Sequence, residues 1–306
     1  MKFTIYQESR QGPREYNQDR LAYSYSKEAL LLVLADGMGG HSHGEIAAEL
    51  AVKTLTDAFQ NLAKPLLVYP DKFLKEYIQQ IHSTIDSFAL VNDLPESPCT
   101  TIVAALIQGN KLYCAHAGDS RLYHLRNGRL LSRTIDHSVV QLMLQRNQIN
   151  REEMLYHPER HVIYNCLGGE KSPNIELAPQ REIQEGDILL LCSDGLWTGL
   201  DDQTISDILN ELPLKLAITQ LLDLSESTLG KSGDNLSAIG MQWGDSNYDK
   251  LAISTSTMAL GATTTIINQV KASASKRSAA DVSKLSEEDI EKAIADIQAA
   301  LHRTRR

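Results

Sequence analysis

Cysteine is scarce. Four thiols, Cys99, Cys114, Cys166 and Cys192, sit singly beside apolar residues in 306 positions, with no CxxC pair. That spacing excludes a disulfide scaffold and a zinc ribbon, and reads as reduced core thiols of a cytosolic protein. Long apolar runs are missing too: none reaches the roughly 20 residues needed to span a bilayer. The start of the chain, MKFTIYQESRQGPREYNQDR, is polar from Gln7 onward and is no signal peptide. A basic surplus is also absent. Thirty Lys and Arg against 39 Asp and Glu leave a net charge of −9, which argues against nucleic acid as a partner. The expectation is a cytoplasmic protein with no membrane span, and its 42% of hydrophobic residues can build a core.

What is present centres on Leu30 to Glu45, LLLVLADGMGGHSHGE. Leu30 to Leu34 reads as a strand buried on both faces. The strand stops at Asp36-Gly37, where a carboxylate is costly to desolvate unless a cation or hydrogen-bond donors meet it. A helical pattern starts at Glu45, with Ile46, Ala47, Leu50, Ala51, Leu55, Ala58 and Leu62 on one face, and Asp71 to Val91 repeats the logic. Taken alone, this is a strand, a turn and a helix, with Asp-Gly as turn chemistry.

Phe3 to Tyr6 and Leu21 to Tyr25 alternate as strands do, with the polar loop of Arg14, Asn17 and Asp19 between them. From Thr101 to Leu131 the pattern is an antiparallel meander. It is interrupted by Gly118-Asp119-Ser120 and closed by an Asn127-Gly128 hairpin signal. Val139 to Gln148 is a candidate short helix, and the segment from there to Asn165 reads as an irregular surface excursion. A second buried strand, Ile188 to Cys192, ends at Ser193-Asp194-Gly195. Helical patterns follow at 202–209 and 214–224, and Gly233-Asp234-Asn235 precedes a last strand, Ser237 to Trp243. These divisions give a domain over 1–245, a Ser/Thr/Ala-rich linker over 246–285 and an amphipathic helix over 286–306. Ser286 caps that helix, acidic residues fill its first turn and arginines its end.

Asp36, Asp119, Asp194 and Asp234 stand at strand ends, and Asp19 in a loop between strands. Each alone is explained as turn chemistry, but together they suggest a cluster. Gathered carboxylates repel unless a divalent ion neutralises them, and an all-oxygen set selects magnesium or manganese over zinc.

Six motifs then appear in order: RxxNQD at 14–19, ADGMGGHxxGE at 35–45, GDSR at 118–121, DHS at 136–138, SDGLW at 193–197 and GDN at 233–235. Together they strongly resemble the metal-dependent type 2C (PPM) serine/threonine protein phosphatases, in the form typical of the bacterial branch. The resemblance covers roughly residues 1 to 244 and implies an α+β fold, an αββα sandwich of two face-to-face antiparallel sheets flanked by helices. It implies two core Mn2+ or Mg2+ ions and a third, weaker one. Asp36 would bridge the core pair, the Gly37 carbonyl would ligate one, Asp194 and Asp234 would complete the other, and Asp119 with Asp194 would make the third site. Asp19 would orient bound water as a proton acceptor, Arg14 would clamp the substrate phosphate, and His41 would be the general acid, against the alternative of a solvated loop histidine.

The implied reaction is direct hydrolysis of phosphoserine or phosphothreonine by a hydroxide between the metals, with no phosphoenzyme. Phosphoproteins would be the substrates and a cognate Ser/Thr kinase the opposing activity. A monomer is expected, and the C-terminal helix is a candidate docking element for a partner. Gln18 departs from the family, standing where many relatives carry Glu. Two other readings compete. In a dinucleotide fingerprint, Ser42 would occupy the place of the third glycine. In a catalytically inactive scaffold, ligands would be broken, whereas Asp36, Asp194 and Asp234 are all intact.

Overall fold

The computed structural model describes residues 1–38, 43–244 and 251–268. Two six-stranded sheets carry the fold, and every strand pairing in them is antiparallel. The first sheet orders β11 (Ala252–Ser254), β1 (Lys2–Arg10), β10 (Leu236–Trp243), β9 (Ile188–Cys192), β6 (Arg121–Arg126) and β7 (Arg129–Arg133). The second orders β12 (Thr264–Ile267), β2 (Asp19–Tyr25), β3 (Ala29–Asp36), β4 (Ile102–Gln108), β5 (Lys111–Ala117) and β8 (Glu176–Glu182).

The doubly buried strand read from Leu30 to Leu34 explains how the layers stack. Period-two alternation sends Leu30, Leu32 and Leu34 between the sheets, against Phe3, Leu191, Ile239 and Met241. Leu31, Val33 and Ala35 point the other way, into the apolar faces of α1 (Gly44–Leu62) and α2 (Pro70–Val91). Each such leucine contributes about 1.5–3 kcal/mol of transfer free energy, so Leu32→Ala would cost about 2–5 kcal/mol once its cavity is included. On the outer face of the first sheet, Ile205, Leu209, Ile218, Leu221 and Leu222 of α6 (Asp202–Glu211) and α7 (Leu214–Leu229) bury Leu190, Cys192 and Ala238. The result is the expected αββα sandwich.

Several readings change. Asp19 is not in a loop but opens β2, directly opposite Asp36. The meander is split: β4 and β5 stay in the second sheet, and the chain crosses at Gly118-Asp119-Ser120 to put β6 and β7 in the first. Gly118 takes φ 111 there, and a Cβ would lie 2.6 Å from Thr101, so the crossing needs glycine. The Asn127-Gly128 hairpin forms with both residues at positive φ.

Strand β8 has no alternating pattern because it is a largely exposed edge. Within the irregular excursion lies α4 (Arg151–Tyr156), started by a capping box between Asn150 and Glu153, an N-x-x-E spacing that the sequence reading passed over. Part of the stretch read as linker over 246–285 is structured: β11 pairs with β1, and β12 with β2. Both are short edge strands held by backbone pairing and by polar contacts such as Thr255 to Lys27 O (2.8 Å), which give no apolar periodicity to read. The helix read at 286–306 lies outside the described residues.

Candidate metal centre

The strand ends of both sheets meet at one edge of the sandwich, and that edge collects the aspartates. Asp19 and Asp36 face each other across the β2–β3 ladder. Ser193 stands between the two sheets: its backbone N–H donates to Ser237 O (3.1 Å), and its Oγ accepts from Ser237 N (3.0 Å) and donates to Asp19 Oδ2 (2.8 Å). Asp194 follows it at the start of the short α5 (Asp194–Trp197). Gly195 lies so close to the 234–235 turn that a Cβ would come within 2.0 Å of Asn235 O.

Asn235 fastens the loop of the first motif. Its Oδ1 accepts from Gln18 N (2.9 Å), and its Nδ2 donates to the carbonyls of Gln11 (2.8 Å) and Tyr16 (3.1 Å). The loop thereby presents Arg14, whose Nη2 donates to Asp234 Oδ2 at 2.6 Å.

Asp36 is gripped through its backbone. Its carbonyl accepts from Thr100 Oγ1 and Thr101 N (both 2.9 Å), and its N–H donates to Thr101 Oγ1 (3.1 Å). Asp119 is fixed by its carbonyl, which accepts from Trp197 Nε1 at 3.0 Å. Behind it, Arg121 forms a two-pronged ion pair with Asp136 (2.8 and 2.6 Å) and stacks over Trp197 at 3.5 Å. GDSR, DHS and SDGLW are thus one buried scaffold. Asn235 and Ser193 stand in the GDN and SDGLW motifs but were given no role there, and Thr100 and Thr101, flanked by Cys99 and Ile102, carried no local signal at all.

The electrostatics follow from this crowding. Burial, then the charges of Asp19, Asp194, Asp119 and Asp234, push the Asp36 carboxyl well above the ordinary range. Burial and the charges of Asp119, Asp234 and Asp19 do the same to Asp194, against the pull of Arg14. Burial raises Asp19 to about 6 despite hydrogen bonds from Ser237 and Ser193. Burial and Asp136 raise Asp119 to about 7, with Arg121 opposing. Asp19 Oδ1 is buried without a partner among the described residues.

Five mutually repelling carboxylates and one orphan oxygen, faced by the Arg14 guanidinium, fit divalent cations with oxygen ligands. All the aspartates named from the sequence, together with Arg14, are brought together here. His41 lies outside the described residues. Gln18, the departure from the family pattern, donates through Nε2 to Glu45 Oε2 (3.3 Å).

A second cluster, His116, His137 and Glu176, puts one donor atom of each within 4.8 Å of the others. Its chemistry is different. Gly118 N–H donates to His137 Nδ1 (3.1 Å), which leaves the ring proton on Nε2, facing Glu176 at 3.2 Å. That proton makes a hydrogen bond where a metal would need a lone pair, so the cluster braces the Gly118 crossing.

A sandwich of two antiparallel sheets with an acidic centre at their edge defines a metal-dependent phosphatase. Comparison with known proteins makes this specific. The family model described as protein phosphatase 2C matches residues 7–227. The serine/threonine phosphatase stp of Listeria welshimeri is 33% identical over 200 residues, 64% of this chain and 78% of that protein. Protein phosphatase PhpP of Streptococcus pneumoniae is 28% identical over 233 residues, 74% of this chain and 93% of that protein. The crystal structure of the Mycobacterium tuberculosis serine/threonine phosphatase PstP/Ppp matches with a TM-score of 0.70 at 31% identity, covering 80% of this chain and all of that one. The PstP catalytic domain in complex with two manganese ions matches at 0.67 and 31%, covering 80% and 99%. The chain belongs to the protein phosphatase 2C family, in its bacterial branch.

Proposed function

We propose that this protein hydrolyses phosphoserine and phosphothreonine in proteins, and that Asp36, the Gly37 carbonyl, Asp194 and Asp234 hold two Mn2+ or Mg2+ ions, with Asp119 and Asp194 taking a third. The observation that carries this is the gathering of Asp19, Asp36, Asp119, Asp194 and Asp234 into one repelling cluster with Arg14 as its facing cation. The ions supply an activated water and neutralise phosphoryl charge.

The chain's own residues do the rest. Arg14 stands at the cluster with more than half of its side chain exposed, placed to exchange one carboxylate partner for a substrate phosphate. Asp19, fixed through Oδ2 by Ser193, keeps Oδ1 free to accept a proton. His41 is the proposed proton donor to the leaving alkoxide.

Relatives named serine/threonine phosphatases support phosphoproteins as the substrates; the cellular role proposed here is that of a cytoplasmic monomer opposing a Ser/Thr kinase, with the C-terminal residues 286–306 as a docking element. No helix among the described residues is long and apolar enough to cross a membrane. Manganese-dependent hydrolysis of an aryl phosphate and of a phosphothreonine peptide tests the reading. Asp194→Asn should abolish both with the circular dichroism spectrum retained. Absence of turnover in the wild-type protein with either metal would support the inactive scaffold instead.

A further inference from the structure

All four cysteines are free, but two of them meet. Thr100 and Leu167 form an isolated antiparallel bridge with both hydrogen bonds made (3.0 and 2.8 Å). Cys99 and Cys166 precede these residues, so strand alternation turns both side chains to the same face of the bridge, diagonally across it. The two segments stay in contact beyond the bridge. A Cβ on Gly168 would lie 2.0 Å from Pro98 O, and one on Gly169 would lie 3.2 Å from Cys99 Sγ. Cys99 is buried, and Cys166 is partly open to solvent.

We propose that Cys99 and Cys166 are a peroxide-sensitive thiol pair that closes to a disulfide and thereby slows turnover at the neighbouring acidic centre. The regulatory half of this proposal rests on the phosphatase reading, and the thiol chemistry does not. Cys166 is the attacking group because it is the accessible one. The Cys99 thiol donates to Ser97 O at 3.6 Å; its proximity to Cys166 holds the Cys166 thiol below the ordinary range, while Cys99 itself is pushed up. The Cys166 thiolate attacks a peroxide oxygen, the O–O bond breaks, and hydroxide leaves to be protonated, giving a sulfenic acid. The Cys99 sulfur then attacks the Cys166 sulfur, the S–O bond breaks, and a second water leaves. Two thiols are oxidised by two electrons and one peroxide is reduced to two waters.

The consequence for the site is geometric. Diagonal neighbours across an antiparallel bridge stand roughly 7–8 Å apart at Cα, whereas a disulfide needs about 4.4–6.8 Å, so closure draws the two segments together. The Cys99 carbonyl accepts from Met38 N at 3.0 Å, directly after Asp36-Gly37, and the next two residues grip the Asp36 backbone. Cys166 follows Asn165, whose side chain meets His137 beside the Gly118 crossing. The cross-link therefore pulls on the supports of both Asp36 and Asp119.

The test uses the full chain loaded with manganese and treated with hydrogen peroxide, with catalase added before assay and fresh manganese restored. The expected result is loss of two of the four thiols, a Cys99–Cys166 linked peptide in a non-reducing digest, and a several-fold loss of turnover that dithiothreitol reverses. Cys166→Ser should keep its turnover through the same treatment, which separates thiol from metal oxidation. Cys99→Ser should instead trap a dimedone adduct on Cys166. Absence of the linked peptide in folded wild-type protein overturns the pair. A disulfide with unchanged turnover, or equal loss in Cys166→Ser, overturns its control of the site. Were untreated protein to lack phosphatase activity altogether, the functional reading would fail while the peptide map still decided the thiol chemistry.

Discussion

Replacing Asp119 by asparagine should stabilise the metal-free protein at alkaline pH and leave it almost unchanged at acid pH. The folded carboxyl, pushed from 3.8 up to about 7, carries a penalty in its ionised form of at most about 4 kcal/mol. Relaxation around a coupled site reduces this to about 2 kcal/mol. Because the folded pKa lies above the unfolded one, the folded state binds more protons between the two, and stability falls as pH rises through that window. Below about pH 4 both states are protonated and the penalty is absent; above about pH 7 it is complete. Asparagine removes it.

In chelator at about pH 8, Asp119→Asn should therefore melt some 4–8 °C above wild type, at roughly 2–4 °C per kcal/mol for a domain of this size. At about pH 4 the two should coincide. Saturating manganese should shrink or reverse the gain, because the cation stabilises the charge that repulsion penalises. The assay is thermal unfolding over a pH series with and without metal. A variant no more stable than wild type at pH about 8 in chelator, or equally stabilised at both extremes, refutes the repulsion argument.

Other outcomes follow from the same geometry. Arg14→Ala should raise KM for a phosphopeptide about 10- to 100-fold, the equivalent of a charged hydrogen bond of 1.5–3 kcal/mol, and lower kcat less; initial-rate kinetics decide it. Asp136→Asn leaves the buried Arg121 guanidinium with only the longer ion pair to Asp202 (3.8 Å) and should destabilise the fold by up to about 3–5 kcal/mol, read in urea melts. Deleting residues 246–306, which takes away β11, β12 and the Thr255 contacts to Met1 and Lys27, should lower Tm by more than deleting 269–306. Equal effects would deny those edge strands a structural role.

The order of buried strands and amphipathic helices was legible because period-two and 3.6-residue patterns are written locally. Leu30 to Leu34, with alternate leucines in two different cores, is the clearest case. The aspartates were legible as candidates because each ends an apolar run where its burial needed a reason. Edge strands escaped: β8, β11 and β12 bury too little for alternation to be selected. So did the capping box of α4, masked by its polar surroundings.

What the sequence determined by itself was the supply of parts: strands, helix faces, isolated carboxylates and a motif order matching one family. Tertiary structure alone decided that Asp19 stands opposite Asp36, that the meander divides between two sheets at Gly118, that Arg14 meets Asp234 across 220 positions, and that Cys99 finds Cys166. Each of these is a contact between segments remote along the chain. Local pattern records which face a residue turns to the core, but not which distant strand end it meets there.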